Sequence, residues 1–523
     1  MTLSQRRVLI NRRGLLAVPA VGLALSALPR GLMAQGADCS TLRAAIAGYN
    51  VVNTLDPAKA TVISEFYVIW GLFNALLRFN AKMELEGDLA ESWEIIGDRV
   101  VRFRLRKGVK FHDGVDCTAE DVKFTFDRLR DPATSSPHRA KFERVTEIRV
   151  VDPLTVEFET DRPYAPLLAY LTNCRTGSQI VPKHILSSDD GRAFGIKPIG
   201  TGPFRFDSLQ PTSKVTCKAN PDYFEKGKAI PQIVEFPLIA EESIGVTALL
   251  GGAVDITSTA PFADVGSLEK NPAVKVLKGN GLNSRFVLLN TAVAPFDDVH
   301  FRRAVAQAFS RDVMVKAILF GEGRTANGII PAAMPTMHQK DPRPMTTFNP
   351  AAAKAELAKS RYGAGTEAIV VTWGNGWWKR FGEIFVGQVN QTLGTKLRLE
   401  VMDVNAAFGR VVRKDYQASI WGLIGNIDPD EYLYENMHSS GTRNFSNYRN
   451  PEFDKLVVAA SQEIDPERRA ALYRQAEDMM VNDAPVACCF ENYVHNLQTT
   501  KVKGFSQTPY SGFGAQLADV SAC

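Results

Sequence analysis

The sequence predicts an α/β fold in which strands and helices mix along the whole chain, and three observations carry that prediction. Val101, Phe103 and Leu105 alternate with Arg102, Arg104 and Arg106, the period-two pattern of a strand with one apolar face. Val122, Phe126 and Leu129 recur at helical spacing a few residues later, behind Thr118 and Asp121, a cap-and-acid pair suited to a helix start. Val156 and Phe158 in TVEFET then return to strand alternation. No tandem repeat or low-complexity tract interrupts the mixture, so strands and helices share layers.

The same reading extends down the chain. Between the first strand and helix, His112-Asp113-Gly114 is a tight turn in which glycine accepts a positive φ. Adjacent His and Asp seldom converge on one ion, so the turn is structural. Phe301, Val305, Phe309 and Val313 recur every four residues, which predicts one amphipathic helix, with Asp297 and Asp298 at its positive end and Gly321 and Gly323 ending it. DPERRAALYRQAEDMMVNDAP predicts another, capped by Asp465, with Pro466 in its first turn and Pro485 closing it. GTGPF holds two glycines but lacks the Lys-Ser/Thr of a phosphate loop, and is expected to be a bend approaching a cleft.

Charge and composition exclude several classes. The 523 residues carry a formal net charge of +4, but Arg6, Arg7, Arg12, Arg13 and Arg30 lie within the first 34 residues, where there is no acid; the rest holds 56 basic against 57 acidic side chains. No basic tract remains to neutralise a run of phosphates, so nucleic acid is not an expected partner. Residues 1–34 are expected to be a signal peptide. A basic start precedes the apolar stretch Leu15–Leu28, which is too short to cross ~30 Å of hydrocarbon at ~1.5 Å per residue. Each arginine pair is followed by one residue and then two apolar ones, as in a twin-arginine signal, with cleavage expected near Ala34. An ordinary secretory signal is the alternative. Asp38 before Cys39 argues against a lipid anchor. The seven cysteines match no zinc pattern, and Cys488-Cys489 in an apolar stretch reads as packing. The seven histidines are scattered, so no metal and no cofactor is expected.

Seven blocks in order carry a resemblance. They are LDPA (Leu55–Ala58), GDLAESWEI (Gly87–Ile95), FRLRKGVKFHDGVDCTAEDVKFTFDRL (Phe103–Leu129), GTGPFRF (Gly200–Phe206), NPDYF (Asn220–Phe224), LNTAVAPFDDVHFRRAVAQAF (Leu289–Phe309) and IDPDEYLYENMHSSGTRNFSNYRNPEFDKL (Ile427–Leu456). Together the chain resembles the extracellular solute-binding family that serves dipeptide, oligopeptide and nickel ABC importers. The resemblance implies a two-lobed periplasmic-binding-protein fold of the large type II kind. Residues 35–282 would form lobe I, with a subdomain inserted at about 80–178. Residues 283–489 would form lobe II, and 490–523 would return to lobe I. Hinge strands would lie near Gly281–Asn290 and Ala487–His495. The implied activity is capture of a solute and delivery to ABC permease subunits in the inner membrane, by a periplasmic monomer that is not an enzyme.

A cleft for a polar solute needs aromatic walls and a few oriented polar groups. TWGNGWWKRF (Thr372–Phe381) places Trp373, Trp377 and Trp378, three of the chain's six tryptophans, beside Asn375 and Arg380. Arg380 offers a fork to a carboxylate and approximates the basic residue that meets the ligand carboxylate in peptide-binding relatives. WGLIGNIDPDEYLY adds Trp421, Gly425, Asn426 and Asp428. The resemblance puts Gly425 where peptide-binding relatives carry an aspartate for the ligand amino group, which throws recognition of a free peptide amino terminus into question. Asp428 is a possible substitute, although Asp-Pro-Asp is more often a turn and helix cap. Lobe I is expected to add Tyr49, Asn50, Tyr67 and Trp70, each equally consistent with core packing. Opines, oligosaccharides and metal chelates are alternatives to peptides. A secreted hydrolase is the remaining class, and the sequence holds no G-x-S-x-G, no H-E-x-x-H and no convincing acid pair.

Overall fold

One strand, Val486–Thr499, belongs to both halves of the molecule, and the architecture follows from it. The computed structural model describes residues 40–187, 191–227, 231–374, 376–510 and 513–521. The first part of this strand, Val486 to Phe490, pairs antiparallel with Asn283–Leu289. Its second part, Tyr493 to Thr499, pairs antiparallel with Val274–Asn280. The chain therefore passes between two sheet halves at two neighbouring places, Gly281–Leu282 and Glu491–Asn492.

On the lobe I side, strand Thr41–Ala47 lies parallel to Ile233–Ile239 on one edge and to Ile256–Thr257 on the other. Lys214–Ala219 and Phe204–Gln210 extend the sheet antiparallel. Leu42, Ile46, Phe66, Trp70, Phe204 and Phe236 fill its core. On the lobe II side, Glu367–Trp373 lies parallel to Lys396–Met402 and to Ala418–Ile424, and the last pairs with Asn283–Leu289. Every residue of Asn283–Leu289 is buried, as expected for a central strand covered on both faces.

The alternation read at Val101–Leu105 forms strand Val100–Leu105, inside a four-stranded antiparallel sheet with Ala90–Ile96, Thr155–Thr160 and Val145–Asp152. Phe103, Phe158 and Phe126 pack edge to face beneath it, with ring centroids 5.8 and 5.0 Å apart. Helix Ala119–Arg130 begins in the capping box expected of Thr118 and Asp121. Asp465 caps Pro466–Asp483, with Pro466 in its first turn.

One local expectation is corrected. The four-residue repeat from Phe301 to Val313 is two helices, Val299–Gln307 and Arg311–Leu319, because Ser310 adopts an extended conformation and caps the second one through Val313 N–H. Val313 is exposed, so the fourth member of the repeat does not share the buried face. GTGPF bends onto the end of helix Ile63–Leu72: a Cβ on Gly200 would stand 2.0 Å from the Leu72 carbonyl oxygen, and one on Gly202 2.5 Å from that of Gly71. Glycine is needed there for backbone to meet backbone. The His112 ring ties this bend to the HDG turn, accepting from Gly200 N–H at 3.1 Å and donating to the Gly202 carbonyl at 3.1 Å.

The signal peptide, its arginine pairs, the cleavage point near Ala34, Cys39 and Cys523 lie outside the described residues. Among the described residues, Cys117, Cys174, Cys217, Cys488 and Cys489 are buried and free. No described helix is long and apolar enough to cross a membrane.

Candidate ligand-binding cleft

In both halves the parallel strands run at their carboxyl ends into the segments that hold the expected site residues, and such strand ends are where open α/β sheets receive ligands. In lobe I, Thr41–Ala47 runs into Gly48, Tyr49 and Asn50, and Ile233–Ile239 runs into helix Glu242–Leu250. Ile256–Thr257 runs on toward Phe262. In lobe II, Glu367–Trp373 runs into the tryptophan loop, Lys396–Met402 into helix Val404–Val412, and Ala418–Ile424 into Gly425.

On the lobe I wall, Gly48 turns the chain with a φ of +84° and donates to the Ile239 carbonyl at 2.8 Å. Tyr49 is half-buried and Asn50 exposed. Burial pushes the Tyr49 hydroxyl up, Arg175 pulls it down and Glu242 pushes it up again, so both charges lie within electrostatic reach of its ring. Arg175 follows the apolar run Leu167–Cys174. Its Nη2 donates to the Thr61 carbonyl at 2.9 Å, and its guanidinium lies 5.9 Å from the centre of the Phe66 ring. Its Nε is buried without a partner, and no ion pair joins it to a described carboxylate. Burial depresses its proton affinity, opposed by Tyr49, Glu431 and Tyr67. Tyr67 and Trp70 lie deeper and are buried. Tyr67 packs 5.1 Å from Phe513, and Trp70 packs 5.3 Å from Tyr510 with its indole N–H unpartnered.

On the lobe II wall, Trp373, Trp377 and Trp378 form one stack. Trp373–Trp378 centroids are 4.5 Å apart, and Trp377–Trp378 are 4.3 Å apart and nearly parallel. The fully buried Arg285 guanidinium rests 5.5 and 5.4 Å from Trp377 and Trp378. With burial uncompensated by any described acid, its proton affinity falls to about 10. Trp421 joins the stack edge-on at 5.8 Å from Trp373 and carries Phe408 face to face at 5.6 Å. Asn375 lies outside the described residues. Arg380 is exposed, one turn into helix Trp378–Leu393, and its guanidinium stands 5.9 Å from the exposed Phe320 ring; the fold does not bring it together with the other cleft residues.

Gly425 sits with a φ of +74° and donates to the Leu282 carbonyl at 2.6 Å. A Cβ there would stand 3.3 Å from Arg175 Nη1, so lobe II meets lobe I at this glycine. Asn426 is buried, its amide nitrogen unpartnered. Asp428 caps helix Pro429–Met437 and pairs with the buried Arg469 at 2.6 Å, which assigns it to structure. Further contacts join segments distant in the chain: Lys141 pairs with Glu431, Ala165 N–H donates to the Ser461 carbonyl at 2.9 Å, and Phe262 meets Trp377 at 6.5 Å. Among the described residues no group of three or more His, Cys, Asp or Glu side chains is arranged to hold a metal.

Arg175, Glu242, Arg285 and Phe262 escape sequence reasoning. Arg285 left a signal, a lone cation inside the apolar strand NSRFVLLN, whereas Arg175 and Glu242 are ordinary loop and helix-start residues until the fold turns them inward.

The family model described as bacterial extracellular solute-binding proteins, family 5 (middle region), matches residues 84–444. The chain belongs to this family. It is the periplasmic solute-binding component of an ABC importer, a two-lobed receptor of the type II kind. The glutathione-binding protein GsiB of Escherichia coli O6:K15:H31 is 24% identical over 515 residues, covering 96% of this chain and 99% of that protein. The DppA receptor of Helicobacter pylori, solved with the peptide STSA, is 25% identical with a TM-score of 0.76, covering 92% of this chain and 98% of that one. AgaA of A. tumefaciens R10, solved with agropinic acid, is 25% identical with a TM-score of 0.77, covering 91% and 97%.

Proposed function

We propose that this receptor traps one small polar solute between Tyr49, Asn50, Arg175 and Glu242 of lobe I and the tryptophan stack, Gly425 and Asn426 of lobe II. The carrying observation is Arg175, a guanidinium facing the opposite lobe with no acid of its own. Stripping water from such a charge is costly unless an anion arrives. The carboxylate-binding role expected of Arg380 passes to Arg175 in this reading.

The solute is peptide-like or an amino-acid conjugate. GsiB, with glutathione, and DppA, with a peptide, support the first form, and AgaA, with an opine, the second. Gly425 favours the second, because no acid stands at that point of lobe II to meet a peptide amino group. Binding involves no bond chemistry: closure excludes water and strengthens the polar contacts inside. The chain flexes at Gly281–Leu282 and Glu491–Asn492, acts as a monomer, and reaches the periplasm through a twin-arginine signal cleaved near Ala34.

Mass spectrometry of solute released by denaturing the purified protein tests this reading. A stoichiometric small polar compound is expected. That compound should raise the unfolding midpoint of refolded, solute-free protein, since a ligand of the native state stabilises it. A protein whose midpoint and small-angle scattering respond to no solute would end the proposal.

A further inference from the structure

Two charges of opposite sign without ion-pair partners act on one aromatic residue, Tyr49, of the lobe I wall. Arg175 gives one hydrogen bond, to the Thr61 carbonyl, and keeps its Nε buried and unpartnered. Glu242 opens helix Glu242–Leu250 and is half-buried; its Cγ and Oε1 each stand 3.7 Å from where a Cβ on Gly48 would be. No described cation or N–H pairs with its carboxylate. Tyr49, next to Gly48 in the chain, lies within electrostatic reach of both.

A carboxylate in a first helical turn has an ordinary explanation, attraction to the helix N-terminus. That attraction would hold its pKa down. Burial beside the Gly48–Tyr49 turn, with Glu241 adding like-charge repulsion, instead pushes Glu242 up. The remaining charges near Arg175 are committed or of the wrong sign. Glu431 pairs with Lys141 and accepts from Ile427 and Asp428 N–H, and Arg443 adds repulsion. Arg285 is held in the tryptophan stack.

We propose that the cleft selects a dipolar solute, with its anionic group on the Arg175 guanidinium beside Gly425 and its cationic group on the Glu242 carboxylate beside Gly48. This rests on the cleft being the solute site and adds what the solute must carry. The acid that receives an ammonium has moved from the lobe II position now held by Gly425 to lobe I. Both recognition charges therefore sit on one rigid wall, set before the lobes close.

Calorimetric titration and thermal shift of solute-free protein test the assignment with glutathione, L-alanyl-L-alanine, its N-acetyl derivative, its C-terminal amide, and glucose. At least one of glutathione and L-alanyl-L-alanine, each carrying an ammonium and at least one carboxylate, is expected to bind, and at least tenfold more tightly than either singly charged derivative, with no response to glucose. Glu242→Gln should leave the ligand-free unfolding midpoint unchanged and weaken the ammonium-bearing probe about tenfold, while N-acetyl-dialanine binding stays as it was. Arg175→Gln should abolish discrimination against the amide. Glucose or N-acetyl-dialanine binding as well as the dipolar probes would keep the receptor reading and overturn this one. So would Glu242→Gln leaving the preference for the free amine intact. Silence from both glutathione and L-alanyl-L-alanine would also overturn it, and silence from the whole set together with no released solute would remove the receptor reading as well.

Discussion

The two walls of the cleft are built on opposite principles. On the lobe II wall Arg285 lies against two indoles, Asp428 is matched to Arg469 and Trp421 is covered by Phe408, while Arg285 Nε and the Asn426 amide nitrogen stay unpartnered. The lobe I wall leaves its charges open, with Arg175 and Glu242 lacking partners of their own. Charges already spent on one another cannot discriminate among solutes, whereas open ones can. In the proposed reading lobe I holds selectivity and lobe II supplies an aromatic lid.

The sharpest break in this comparison comes from Asp428→Ala. It strands the buried Arg469 and removes a helix cap, so it should cost about 3–5 kcal/mol of stability in denaturant unfolding. Arg175→Ala should do the reverse, reducing solute affinity by about 2–4 kcal/mol in calorimetry while the ligand-free midpoint holds or rises. A stability loss as large as that of Asp428→Ala would show that Arg175 is a structural cation after all. Lys141→Ala removes a cross-lobe ion pair and should weaken affinity severalfold, with a larger radius of gyration in the ligand-free protein. Arg380→Ala should change affinity by less than about twofold; a larger loss would return the carboxylate site to lobe II.

A pH titration sharpens the picture of the crossing. Burial raises the Glu491 carboxyl to about 8, although it accepts from Ala332 N–H at 2.9 Å. Between its ordinary value and about 8 the folded protein binds the proton that the unfolded chain has released. Its contribution therefore falls as pH rises through that window. Glu491→Gln should flatten the decline of the unfolding midpoint between pH 5 and 8; an unchanged slope would place the cause elsewhere.

Local grammar was legible in the sequence wherever it was local. Thr118 with Asp121, Asp465 with Pro466, and the arginine-interrupted strand Val100–Leu105 follow from neighbours within one turn or one pleat. Periodicity could not reveal that Ser310 would stop one helix and start another, because an apolar repeat every four residues survives a break of that size. Nor could spacing find the site. Tyr49, Arg175, Glu242 and Gly425 are far apart along the chain and meet only through the strand order. The tryptophan cluster stood out because its members lie within six residues of one another, whereas Arg380, chosen for its fork and its match to the family's basic residue, is exposed in the fold.

The strand that both halves share has a consequence for biosynthesis. Until Val486–Phe490 emerges from the ribosome, Asn283–Leu289 is paired on one edge only, with Ala418–Ile424, and until Tyr493–Thr499 follows, Val274–Asn280 has no strand partner. Nearly the whole polypeptide must therefore wait with two open sheet margins, each able to recruit a foreign strand. Translation ends by sewing both lobes shut with the same thread, so a truncation just short of residue 486 should yield an aggregate and not a smaller receptor.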